Sequence, residues 1–211
     1  VNLKEVKSLL ESYRTAMREG LEAIENAEKR NQETVSRVDV RKEMLKYIKR
    51  DDKHGLIQYI RAVESSKPNF QEDLNYALRN AAHFNAINCT SFLAISRYSN
   101  ILSQGPTSKE IALHAAIRGN HLECVRGLLT GVTTMDYFAL AEQLLFDKSN
   151  TRPIDLVASL PSQADRQSMA DVILEVLSEH RAGCEVSLEA REEICKILTE
   201  SMSTQAKMSM S

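Results

Sequence analysis

Apolar side chains recur at three- and four-residue spacing along most of this chain. The pattern is sharpest in Ile111 to Leu129, IALHAAIRGNHLECVRGLL. Leu113, Ala116 and Ile117 fall on one face of a helix, and Leu122, Val125, Leu128 and Leu129 on one face of another. Between them, Arg118-Gly119-Asn120-His121 predicts a tight turn in which Gly and Asn let the backbone reverse. Neither helix is long enough to stand alone, so the pair predicts packed neighbours. Upstream, Leu3, Val6, Leu10, Tyr13, Met17 and Ile24, with Leu21 beside them, predict one long amphipathic helix over residues 2–30. Asn31 to Thr34 then reads as a turn. Val38, Val40, Leu45 and Ile48 give a second helix over 35–50, and Leu56, Ile57, Ile60 and Val63 a third over 56–64. Asp73 reads as a cap for a helix over 74–83. Later helices are expected within 135–146, over 164–179 and over 186–200, with a turn at Arg181–Cys184 and a mobile tail at Ser201–Ser211.

The Ile111–Leu129 pattern has a relative within the chain. Aligned without gaps at an offset of 35, residues 77–94 and 112–129 share Ala77/Ala112, Leu78/Leu113, Ala81/Ala116, Asn85/Asn120, Cys89/Cys124 and Leu93/Leu128. The identities lie in the two apolar faces and the turn, where packing constrains the residue type. A fainter copy aligns at an offset of 33, with Leu45, Ile48, Asp52, Leu56 and Ile60 against Leu78, Ala81, Asn85, Cys89 and Leu93. Asn150 to Ala158 opens a fourth, after an insertion over 130–149. A period in this range is the signature of stacked helix pairs.

Residues 112–129 resemble the ankyrin repeat, through Leu113, His114, Ala116, His121, Leu122, Val125, Leu128 and Leu129. Asn150–Ala158 is similar to that family's N-x-T-P-L-D-L-A opening, with Arg152 in place of Thr. The chain departs from the family at Ile111, where a capping Thr is usual, and at Gly119-Asn120, where the order is usually polar then Gly. It also lacks the Gly-Ala-Asp hairpin in 95–109 and 130–150. The resemblance implies an all-α, ankyrin-like helix-pair solenoid with a long N-terminal helix and a C-terminal capping helix. Its parts are an amphipathic helix (1–34), about four helix pairs (35–178), and an acidic helix with a tail (179–211). In such a fold His114 and His121 are structural.

Composition narrows the chemistry. The chain has 211 residues, a net charge of −2, 5% aromatics and no Trp. Charge gives no pull toward nucleic acid. Cys89, Cys124, Cys184 and Cys195 form no C-x-x-C pair and read as small core thiols of a reducing cytosol. His180, Cys184 and Cys195 would be the nearest zinc set, without a fourth ligand, so no metal is expected. The chain has no Gly-rich phosphate loop and no nucleophile elbow. Cys124 with His121 stands at i,i+3, but on a core-facing position. No catalysis and no cofactor are therefore expected.

The expected function is protein–protein recognition. On the family pattern, exposed contributors come from the ends of the first helices and the loops before them: His83, Phe84, Thr107, Lys109 and Arg118. Degenerate ankyrin modules with added helices are similar to those in secreted effectors of intracellular bacteria, which implies a cytoplasmic setting, the host cytosol for an effector. Other readings are an anionic-lipid surface along Arg37–Lys53, a regulatory domain of a larger enzyme, and self-association through residues 1–30.

Overall fold

The computed structural model describes residues 3–64, 70–95, 100–106, 109–130, 138–148, 151–179 and 187–203. Every regular element among them is helical: α1 (Leu3–Lys49), α2 (Lys53–Glu64), α3 (Phe70–His83), α4 (Ile87–Leu93), α5 (Ala112–Arg118), α6 (Leu122–Thr130), α7 (Phe138–Leu144), a 3-10 segment (Pro153–Ser159), α8 (Gln163–Ser178) and α9 (Leu188–Ser203). The chain divides into two compact units, Val1–Lys42 and Glu43–Ser211.

In the first unit, the turn expected at Asn31–Thr34 is not formed. The helix runs through it without a break. Asn, Gln, Glu and Thr cost only a few tenths of a kcal/mol each in a helix, and neither Gly nor Pro interrupts residues 21–49. A polar run is therefore not by itself a helix end. Val6, Leu10, Tyr13, Met17, Leu21 and Ile24 are all exposed.

In the second unit the helices pack in two rows. α3, α5 and the 3-10 segment touch in succession; so do α2, α4, α6 and α8. Within pairs, α3 packs on α4, α5 on α6 and the 3-10 segment on α8. α9 packs on the 3-10 segment and α8, and so takes the next place in the first row. Leu78, Leu93, Leu113, Ile117, Leu128 and Leu129 are fully or almost fully buried between the rows.

The turn joining each pair is the same in three places. Asp51, Asn85 and Asn120 have φ of 52°, 56° and 54°. The next residue donates its N–H to a carbonyl five residues back: Asp52 to Tyr47, Ala86 to Ala81 and His121 to Ala116, each at 2.9 Å. This is the six-to-one closure that satisfies an orphan carbonyl at a helix end. Asn and Asp tolerate the left-handed region better than other non-glycine residues. The backbone therefore aligns Asp51 with Asn85, one residue away from the Asp52 match expected from sequence. The shift puts Met44 and Ile48 in the core and leaves Leu45 half-buried. It also puts Gly55 level with Cys89 and Cys124.

Gly119 is not the left-handed residue; its φ is −80°. Its role is space, because a methyl group there would overlap the His121 ring. Asp73 also departs from expectation: α3 begins at Phe70, so Asp73 lies inside the first turn and is buried instead of capping it. The fourth unit opens with the 3-10 segment rather than an α-helix, with Pro153 at its start and Ile154 and Val157 buried. Ser162 caps α8, its Oγ accepting the Asp165 N–H at 3.0 Å. The Arg181–Cys184 turn and residues 204–211 lie outside the described residues.

Asp51 carries two functions, a left-handed backbone and a side-chain cap on the next pair. Its Oδ1 accepts the Cys89 N–H at 2.9 Å and its Oδ2 the Asn88 N–H at 3.1 Å. Asp51→Gly should remove only the cap, costing about 1 kcal/mol, while Asp51→Ala adds the left-handed penalty and should cost about 2 kcal/mol. Urea unfolding of the two variants checks this; equal losses would mean the backbone conformation contributes nothing.

Candidate functional site at the helix-turn edge

The residues expected to do chemistry are held by the fold. His114 Nδ1 accepts the Ile111 N–H at 3.1 Å, and Nε2 lies 2.8 Å from the Thr151 carbonyl oxygen. Both contacts are met by a neutral ring carrying its proton on Nε2. The ring thus ties the start of α5 to the backbone just before the 3-10 segment. Burial pushes its pKa below 6.5. Protonating Nδ1 would also turn a second N–H against that of Ile111. His121 Nδ1 lies 2.8 Å from the Ala82 carbonyl oxygen, a link back to α3.

The thiols are equally occupied with packing. Burial, reinforced by the neighbouring Asp51 carboxylate, pushes the Cys89 thiol up from 9.0 to about 12. Burial also raises the Cys124 thiol. Cys124 Sγ lies 3.5 Å from Asn85 Oδ1 and 3.6 Å from Thr90 Oγ1. A thiol raised in this way holds almost no thiolate near neutral pH. His180 and Cys184 of the zinc set lie outside the described residues. Among the described residues no three His, Cys, Asp or Glu side chains are placed to hold a metal ion. No helix among them is long and apolar enough to cross a membrane.

The expected contact residues divide into three places. His83 and Phe84 end α3 and are exposed. The Phe84 ring is 43% exposed, meets the His83 ring edge-on with centroids 5.1 Å apart, and lies 5.4 Å from Lys49 Nζ. It is therefore not enclosed by the neighbouring pair. Arg118 ends α5. Its Nη1 donates to Glu110 Oε2 at 3.0 Å, and its Nη2 pairs with Oε1. That bond holds the Glu110 carboxyl below its ordinary value. Lys109 is exposed, with a φ of 56°, at the opposite end of α5. Thr107 lies outside the described residues.

The structure adds three features that sequence reasoning missed. Lys49, His83 and Arg118 occupy equivalent positions at the ends of α1, α3 and α5, one before each pre-turn residue. The Lys49 and Arg118 cations there face the negative end of a helix dipole. Glu110 carries no helical pattern of its own, so its pairing with Arg118 had no signal. Finally, the stretch 100–106 lies over α3. Arg79 Nη1 donates to Ser103 Oγ at 2.8 Å, and Asn75 Oδ1 accepts the Asn100 N–H at 2.7 Å. That side of α3 is partly covered, and the exposed surface of the helix lies at its turn end. Ile87, 38% exposed, extends that edge beyond Phe84.

His114 makes a pH signature. Its folded pKa is depressed, so below 6.5 the unfolded chain binds more protons than the folded one, and stability falls as pH falls. Thermal unfolding should show a melting temperature that declines from pH 7 to pH 5. His114→Asn should be less stable at pH 7 and should lose part of that decline; an unchanged slope would remove the assignment. No family model and no curated protein matches this chain.

Proposed function

We propose that the Glu43–Ser211 unit is an ankyrin-like module that recognises a protein partner without catalysis. The observation that carries this reading is the exposed turn edge. It presents an aromatic ring, Phe84, with Ile87 close by in the chain, and at the equivalent positions the cations Lys49 and Arg118 and the imidazole of His83. An exposed aromatic beside basic side chains suits a partner segment that brings an apolar anchor and acidic flanks. The repeated pairs support the ankyrin comparison through their common turn, and through His114, which links neighbouring units as the resemblance implies. The non-catalytic reading rests on where the candidate nucleophiles and bases sit: both buried thiols are raised, and both nitrogens of His114 are engaged.

Panning a displayed random-peptide library on the protein tests the proposal. Enriched peptides should combine Asp or Glu with a large apolar residue. Phe84→Ala should weaken them about tenfold, roughly 1.4 kcal/mol, without changing the melting temperature; Arg118→Glu should weaken them as much and also lower the melting temperature, because it breaks the pair with Glu110. Binding should also fall at 0.5 M salt. No enrichment, or peptides indifferent to both substitutions, would overturn the reading.

A further inference from the structure

The first part of α1 exposes an apolar stripe that a soluble monomer has no reason to keep. Leu9, Leu10, Tyr13, Met17, Leu21 and Ile24 are between 52% and 76% exposed. The stripe follows a seven-residue repeat. Leu10, Met17 and Ile24 occupy one core position; Val6, Tyr13, Gly20 and Ala27 occupy the other. Such a stripe is covered in a two-helix coiled coil, and the sequence also says which helix covers it.

Charge along this helix is separated into halves. Residues 7–18 carry Lys7, Arg14 and Arg18 against Glu11 alone. Residues 19–28 carry Glu19, Glu22, Glu25 and Glu28 and no basic residue. Two copies laid parallel would set like halves side by side, acidic along acidic and basic along basic. Two copies laid antiparallel about a centre between Arg18 and Glu19 set each basic half on an acidic one. Core sizes agree with that register. It opposes Met17 to Gly20, Tyr13 to Ile24 and Leu10 to Ala27 of the second copy. A parallel pairing would stack Gly20 on Gly20 and Ala27 on Ala27, leaving gaps where packing contacts are lost.

We propose that residues 6–28 form an antiparallel coiled coil with a second copy of this chain, making the protein a homodimer. The partner is specified by charge and size complementarity between the two halves of one helix, independently of the turn-edge reading above.

Light scattering after size exclusion, on the full chain, tests this. The wild-type protein should have twice the 23.8 kDa chain mass at micromolar concentration. Leu10→Glu with Ile24→Glu should give a monomer whose thermal unfolding still shows the cooperative transition of the Glu43–Ser211 unit. The triple variant K7E/R14E/R18E should weaken the dimer at least tenfold. Adding E22K/E25K/E28K to it should restore the dimer, because swapping both halves preserves antiparallel attraction. A monomeric wild type, a dimer indifferent to Leu10→Glu with Ile24→Glu, or a sixfold charge swap that stays monomeric would each overturn the proposal.

Discussion

Three of the helix pairs in the Glu43–Ser211 unit are joined by turns that each rest on one residue. Asp51, Asn85 and Asn120 must take a left-handed backbone, because the chain reverses there and the next N–H has to reach the carbonyl five residues back. Glycine would satisfy that constraint more easily. The short polar side chains present instead do a second job. Asp51 caps the N–H groups of Asn88 and Cys89, Asn85 Oδ1 approaches the Cys124 thiol, and Asn120 Nδ2 donates to Asp165 Oδ1 at 2.8 Å. The turn of one pair thus holds the start of the second helix in the next. The two histidines tie the other row in the same manner, His121 back to α3 and His114 forward to Thr151.

These links explain why the interior offers so little chemistry. A histidine with both ring nitrogens engaged, or a thiol sealed in a core, is committed to structure. The exposed side chains lie on the edge where the first-row helices end. There Arg118 is held by Glu110, and the Phe84 ring lies beside Lys49. Within each repeat the left-handed residue and the core below it serve folding, and the residues just before it face outward.

The helix pair at Ile111–Leu129 was legible because its apolar period and its turn chemistry agree. The first pair was legible only approximately. Asp51 and Asp52 are identical in type, so sequence matching could not tell which one takes the left-handed conformation; the choice moves the core from Leu45 to Met44. Asn31–Thr34 misled because polarity was read as a boundary, whereas backbone conformation there is decided by propensity. Phe84 and Arg118 were identifiable as exposed from the repeat itself. The bond from Arg118 to Glu110 and the cover of 100–106 over α3 were not, since both join segments without periodicity to helices that have it.

The side chain of each left-handed residue reaches toward the pair that follows it in the chain, from Asp51 to α4 and from Asn120 to α8. A protein is synthesised from its N-terminus, so each completed turn leaves the ribosome with its reaching group in place before the helix it will hold has emerged. A chain truncated after one of these turns therefore ends on an unused Asp or Asn rather than on a missing one.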